Sequence, residues 1–417
     1  MTPGSLADWL AFIERQHPSS IALGLDRVAA VYSRLKIGLS CPIITVAGTN
    51  GKGSTCAMLE AILRAAGYRV GLYSSPHIAR YNERVRIGGA EAPDEALAAA
   101  FAAVEAARGE VPLTYFEFGT LAAFHLFSRE NLEAAVLEVG LGGRLDAVNV
   151  VDADCAVLTS IGIDHVEFLG DTRAAIGHEK AGIFRVGRPA IIAEPQVPET
   201  VLEEIRRLHA LPLLIGRDFG YKSQGTQWAY WGPGGKRSGL AYPALRGAMQ
   251  LRNASAAMTA LDALRERIPV AMQDVRNGLA EVSLPGRFQV LPGRPQVVLD
   301  VAHNPEAAAV LAQNLGENGF APETIAVFGM LRDKDIAGVV RTVAPRITRW
   351  HLATLPGPRG ADSGFLSSVF SELKIKRPIT EHESVAAALA AAKKEAREND
   401  KIVVFGSFLT VAGAYGR

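Results

Sequence analysis

The stretch GTNGKGS, Gly48 to Ser54, gathers glycine, hydroxyl and lysine residues at close to the spacing of a phosphate-binding loop. Such a loop works because successive backbone N–H groups and a helix N-terminus face phosphate oxygens, while one lysine supplies charge and one hydroxyl meets magnesium. Here Gly53 follows Lys52 directly, so the hydroxyl moves one place along to Ser54, with Thr55 behind it. The apolar run PIITVA before the loop and the helical pattern CAMLEAILRAAG after it are the flanking strand and helix that the motif requires. A bare glycine turn is the competing reading, and it would need neither flank.

Other chemistry-bearing residues fall where further strands should end. YSSPH places Ser75 after one strand; LEVGLGGRLDAVN places Glu138 at a sheet edge, followed by glycines that let backbone approach a ligand; TSIGIDHVEFLG places Asp164 and His165 after another. Hydroxyl, carboxylate and imidazole near bound phosphates suit Mg²⁺, which takes few protein ligands and shares the rest with phosphate and water. Singly, each has a plainer reading: Glu138 as an ion-paired carboxylate, His165 as a helix cap or core histidine. Further along, LDVAHNP sets Asp300, His303 and Asn304 between a strand and a helix starting at Pro305. Asp300 could accept from a ribose hydroxyl or purine amine and His303 could orient a substrate; alternatively Asp300 or Asn304 caps that helix.

The elements that must position these residues read as alternating apolar strands and amphipathic helices, which predicts a parallel sheet covered by helices. Ligands of such sheets bind outside the carboxyl ends of the strands. From about Phe219 to Pro243 the helical period gives way to aromatic, Gly and Ser residues that suggest short antiparallel strands. The segment LPGRF, Leu284 to Phe288, has Pro and Gly where a domain hinge would sit, and strand–helix alternation restarts after it. A chain of 417 residues exceeds one usual core, so two domains are expected, at 1–284 and 285–417. The balance of 44 Lys plus Arg against 43 Asp plus Glu supplies no global field for nucleic acid or anionic lipid. Cys41, Cys56 and Cys155 match neither a disulfide framework nor a metal pair. With charges at Asp8, Glu14 and Arg15 in the N-terminal stretch and no long apolar run, a soluble cytoplasmic protein is expected.

Taken together, GTNGKGS, YSSPHIARYNERVRI, EVGLGGRLDAVN, IGIDHVEFLG, EKAGIFR, LPGRF, DVAHNP and the terminal GSF resemble bacterial folylpolyglutamate synthases, in particular the bifunctional dihydrofolate synthase form, relatives of the muramyl-peptide ligases. The resemblance runs from about Ile13 to Gly413, and in that family Gly53 belongs to the normal loop. It implies a P-loop parallel-sheet ATPase domain followed by a smaller Rossmann-like glutamate-ligase domain. It also implies ATP with one or two Mg²⁺ as cofactors, and dihydropteroate, folates and L-glutamate as small-molecule substrates of a monomer. By that resemblance Thr49, Asn50, Gly51, Lys52, Gly53 and Ser54 bind the nucleotide phosphates, with Asn253, Arg287 and Asp300 as further nucleotide contacts. Ser75, Glu138 and His165 ligate magnesium, with Ser54 a nearby candidate. Lys180, whose default reading is a solvated salt bridge, matches a lysine carried as a carbamate. His303 and Ser407 match positions near the glutamate site. Leu23, Gly24, Thr114, Phe116, Leu145, Asp146 and Ala147 fall in segments matching the pterin-binding surface, and Ala22 departs from a pattern that has Asp there. The rival readings are a monofunctional folylpolyglutamate synthase, a muramyl-peptide ligase, and a P-loop binding protein that hydrolyses ATP without glutamate.

Overall fold

The computed structural model describes residues 3–19 and 21–416. The chain divides into two compact units, Met1–Ala244 with Leu251–Val282, and Leu245–Gln250 with Ser283–Arg417.

The main sheet of the first unit has eight strands: β1 (Ile43–Ala47), β2 (Val70–Tyr73), β3 (Val85–Ile87), β4 (Ala90–Glu91), β5 (Ala134–Glu138), β6 (Cys155–Leu158), β7 (Pro189–Ile192) and β8 (Leu211–Leu214). Their order is β4-β3-β2-β5-β1-β6-β7-β8. Every residue of β1 and β5 is buried, as continuous apolar runs covered on both faces should be. The expected parallel sheet is present with one refinement: β3 and β4 extend one edge as antiparallel strands, because β2 returns through a short connection rather than a crossover helix. Glu138 needs another. Its strand lies between β2 and β1, so the residue ends an interior strand and is buried. Register does the positioning: Val46 stands opposite Glu138 and Ala47 opposite Leu158, which levels the carboxyl ends of β5, β1 and β6.

The helix after β1 runs Lys52–Ala65, starting earlier than its apolar pattern because Gly51, at φ 89°, turns the chain in at the loop itself. The expected antiparallel strands are β9 (Gly220–Gln224), β10 (Gln227–Gly232) and β11 (Gly235–Ala241), with Trp228 and Tyr230 buried beneath them. Aromatic rings dominate the core behind β2, where Phe101 meets Phe118 and Tyr81 at centroid distances of 5.9 and 5.6 Å.

The second unit carries β12 (Gln289–Leu291), β13 (Gln296–Leu299), β14 (Thr324–Phe328), β15 (Arg349–Ala353), β16 (Ile379–His382) and β17 (Lys401–Phe405), in the order β12-β13-β17-β14-β15-β16. All pair in parallel except β12. Trp350 packs on Phe370 with centroids 4.8 Å apart, and Phe328 on Phe405 at 5.1 Å. Among the described residues no helix is long and apolar enough to cross a membrane, and Cys41, Cys56 and Cys155 are buried free thiols.

Candidate active site

The loop after β1 hangs from the end of β6. Thr49 N–H donates to the Ser160 carbonyl at 2.9 Å, and the Thr49 hydroxyl both donates to Gly162 O at 3.1 Å and accepts from Gly162 N at 2.9 Å. Asn50 N–H donates to Ser160 Oγ at 2.9 Å, while the hydroxyls of Thr159 and Ser160 return to Asn50 O at 2.7 and 3.0 Å. Gly48, at φ 155°, has no room for a side chain, since a Cβ there would lie 1.9 Å from Thr159 Oγ1. Thr49 and Asn50 therefore anchor the loop through the very groups expected to face phosphate. The amides available to an anion begin with Gly51 and the first turn at Lys52 and Gly53, where a helix supplies no acceptor of its own. Lys52 Nζ crosses the loop mouth, donating to Gly48 O at 2.9 Å and Thr49 O at 3.3 Å. Asn253, from the helix Gln250–Ala263, is buried against the loop, its Oδ1 2.7 Å from where a Gly51 Cβ would stand.

Beside the loop, Ser75 N–H donates to Glu138 Oε2 at 3.2 Å, joining the ends of β2 and β5. Burial pushes the Cys56 thiol well up, with Glu138 raising it further and Lys52 opposing, so both charges bear on one point under the loop. A buried carboxylate next to a phosphate-binding loop fits a divalent cation, which would satisfy the charge that burial penalises. Among the described residues no three of His, Cys, Asp and Glu gather into a cluster that could hold a metal ion by themselves. His165 sits half-buried at φ 52°, three residues beyond the Gly162 anchor, at the start of the short helix Val166–Leu169. Lys180 lies on the helix Arg173–Ala181 and is 3% exposed, which overturns its solvated salt-bridge reading. The glycine segment after Glu138 packs on that helix end: Arg144 N–H reaches Glu179 O at 2.7 Å, and a Cβ on Gly143 would lie 2.9 Å from Lys180 O.

Three sequence-distant segments form one wall near these strand ends. Gly24 N–H donates to Leu145 O at 3.3 Å, and Arg27 links Ala22 O at 2.7 Å to the buried Glu117 at 2.8 Å. Thr114 caps the helix Tyr115–Phe127 in a reciprocal box with Glu117. Asp146 accepts from Leu141 N and Val148 N at 2.8 and 3.0 Å; burial pushes its carboxyl up to about 7 against those amides and Lys52. Thr114, Asp146 and Ala147 are buried and build the wall, whereas Leu23, Gly24, Phe116 and Leu145 are half-buried and can face a ligand. The Phe116 ring closes on Gly140, where a Cβ would approach it to 2.6 Å.

In the second unit Asp300 accepts from Phe288 N at 2.9 Å and Ala302 N at 2.8 Å, so it holds the turn after β13 rather than capping a helix. Burial raises its pKa; the Ala302 and Phe288 amides and the charges of Arg287 and His303 oppose the rise. Asn304 is the cap, accepting from Ala307 N at 2.9 Å. His303 Nδ1 meets Val301 O at 2.8 Å, and since a carbonyl can only accept, Nδ1 carries a proton. The Arg287 guanidinium lies 5.1 Å from the centre of the Phe408 ring, and the His303 ring 6.1 Å from it. Ser407, next in chain to Phe408, caps the helix Phe408–Ala414 by accepting from Thr410 N at 3.0 Å.

Family models agree with this geometry: the Mur ligase middle domain matches residues 46–261, and the Mur ligase glutamate ligase domain matches 286–408. The chain belongs to the Mur ligase family. Within it, the chain is 46% identical over 411 residues to the dihydrofolate synthase/folylpolyglutamate synthase of Escherichia coli strain K12, covering 98% of this chain and 94% of that one. The fold superposes on E. coli FolC in complex with DHPP and ADP at a TM-score of 0.94 with 44% identity, covering 100% and 98% of the two chains. It matches a bifunctional folylpolyglutamate synthase/dihydrofolate synthase with Mn, AMPPNP and L-glutamate bound at 0.92 with 43% identity, covering 100% and 99%.

Seen as a Mur ligase, the first unit gathers Gly51, Lys52, Ser75, Glu138 and Asn253 at one set of strand ends, and the second gathers Arg287, Asp300, His303 and Ser407 around Phe408. Sequence reasoning missed the anchoring roles of Thr159, Ser160 and Gly162 and the Arg27–Glu117 link. The run TSIG directly after an apolar strand was the available signal for the first set.

Proposed function

We propose that this Mur ligase uses ATP to join L-glutamate to dihydropteroate and to the γ-carboxylate of folates, through an acyl phosphate. The observation that carries the reading is the buried Glu138 ending an interior strand in register with the loop that holds Lys52, which equips one point for a triphosphate and a cation. Near-full-length similarity to enzymes named for both activities supports the choice of substrates.

In this reading residues 1–284 form the ATP-binding domain and 285–417 the glutamate-ligase domain. The amides from Gly51 onward and the Lys52 ammonium take the triphosphate, while Ser75, Glu138 and His165, with Ser54 near, hold Mg²⁺. When bound, the metal neutralises charge developing on the γ-phosphate. The wall of Leu23, Gly24, Phe116 and Leu145 orients the acceptor so that its carboxylate attacks in line. Asn253, Arg287 and Asp300 are assigned to the nucleotide. His303, its ring set by the Nδ1 contact with Val301 O, and Ser407 are assigned to L-glutamate, whose amine must be neutral to attack the acyl phosphate. Lys180 is assigned as a carbamate, which would exchange a buried cation for an anion able to face the metal. The enzyme is read as a cytoplasmic monomer without nucleic-acid or membrane partners.

Phosphate release with ATP and L-glutamate, measured with dihydropteroate, with tetrahydrofolate and with no acceptor, tests the reading. Release with both acceptors is expected. Release with the folate alone identifies a monofunctional enzyme, and release indifferent to L-glutamate removes the ligase reading.

A further inference from the structure

The segment YNERVRI carries three arginines when Arg80 before it is counted, and two of them are ion-paired. Arg80 reaches Asp94 at 3.2 Å and Glu91 at 4.0 Å, and Arg86 reaches the buried Glu60 at 2.9 Å. Arg84 differs. Among the described residues no carboxylate lies within ion-pair distance of it, and its side chain makes one hydrogen bond, Nε to His77 Nδ1 at 2.8 Å. The guanidinium is instead held against two rings, 5.3 Å from the centre of Tyr81 and 5.5 Å from that of Tyr115, which themselves meet edge-on at 5.9 Å. A half-buried cation fixed by aromatic faces and a neutral imidazole keeps its Nη donors oriented for a planar, bidentate anion.

Position says which anion. Tyr115 lies between Thr114 and Phe116 in the acceptor wall, and the Arg84 carbonyl accepts from Ser74 N at 2.9 Å, one residue before the Ser75–Glu138 contact. Arg84 thus stands where that wall meets the strand ends. We infer that Arg84 grips a carboxylate of the acceptor through its Nη groups, making it a specificity-determining residue for acidic acceptors. The inference rests on the acceptor reading above. Two carboxylates qualify: the reacting one, present in dihydropteroate and folate alike, and the non-reacting α-carboxylate that only a glutamylated folate has.

The test compares wild type, Arg84→Gln, Arg84→Met and Arg84→Lys by steady-state kinetics and by calorimetric binding of dihydropteroate and tetrahydrofolate. Gln keeps a donor for His77 without the cation and guards against a folding defect in the Met variant. Loss of the cation should weaken acceptor binding and raise its KM about 10- to 100-fold, as expected for charge-assisted hydrogen bonds, with Lys restoring part of it. The KM for ATP and for L-glutamate should stay unchanged. Equal losses for both acceptors assign the reacting carboxylate, and a loss confined to the folate assigns the α-carboxylate. Unchanged acceptor binding in a folded Gln variant, or an equal loss for ATP, L-glutamate and acceptor, overturns the inference. Failure of the ligase reading is separate: wild-type enzyme would then bind acceptor without glutamate-dependent phosphate release. Wild-type enzyme that binds neither acceptor sinks both.

Discussion

The two units hold their candidate residues with hydrogen bonds of different reach. In the first, hydrogen bonds run from one strand end to another: Thr49 and Asn50 after β1 lean on Ser160 and Gly162 after β6, and Ser75 after β2 leans on Glu138 at the end of β5. In the second, short-range hydrogen bonds set single residues, His303 on Val301, Asn304 on Ala307, Ser407 on Thr410 and Asp300 on Phe288, while Phe408 draws the Arg287 guanidinium and the His303 ring together. Interlocked ends form a collective geometry in which one lost contact displaces several groups. Ends held by short-range hydrogen bonds share fewer of these contacts, so damage there should spread less.

Lys52→Ala should have the largest catalytic effect and sharpens the contrast, because the ammonium touches only carbonyls of its own loop. Turnover should fall by about 10²-fold or more, as when a group that stabilises transition-state charge is removed, with the melting temperature unchanged. Normal glutamate-dependent phosphate release by this variant would remove Lys52 from the chemistry. Gly48→Ala attacks the interlock, since the new methyl collides with Thr159 Oγ1. Here a stability loss of about 1–3 kcal/mol should accompany loss of ATP binding, measured by melting and nucleotide titration. A variant that melts like wild type and binds ATP would show that the strand ends are not coupled. Asp300→Asn probes the other arrangement. Its amide nitrogen cannot accept from the second backbone N–H, so the KM for ATP should rise about tenfold, a charged hydrogen bond's worth, while the acceptor KM stays unchanged. A matching rise for the acceptor would mean that damage does spread.

The same contrast explains what could be read from residues alone. The loop, the strands around it and the helix at Pro305 were legible because glycine spacing and apolar period are local signals. For Lys180 only the default reading fails, because a lysine on a helix looks solvated until the glycine segment 140–143 is folded against that helix. For Thr49 and Asn50 nothing local reveals that the Thr49 hydroxyl and the Asn50 backbone N–H bond residues about 110 positions away. In the second unit β12, β16 and the helix Ser363–Glu372 went unread. Both strands are short, at three and four residues, and lie at the two edges of the sheet, where no buried face imposes a pattern.

The smallest expected effect concerns His77, whose Nδ1 accepts from Arg84 Nε and must therefore be unprotonated in the fold. Burial, reinforced by the Arg84 charge and only partly offset by Glu83, lowers its pKa to about 4 from an ordinary 6.5. Between those values the unfolded chain binds a proton that the folded chain refuses, so stability is complete above pH 6.5 and declines as pH falls towards 4. His77→Gln keeps an acceptor for Arg84 and removes the titration, so urea unfolding of this variant should show a shallower decline over that window than wild type. Because the imidazole also steadies Arg84 against Tyr81 and Tyr115, the variant's acceptor KM should rise less than that of Arg84→Gln. Identical pH profiles for the two proteins would mean that the imidazole takes up its proton in the fold as readily as in the unfolded chain, and that Arg84 is held by the rings alone.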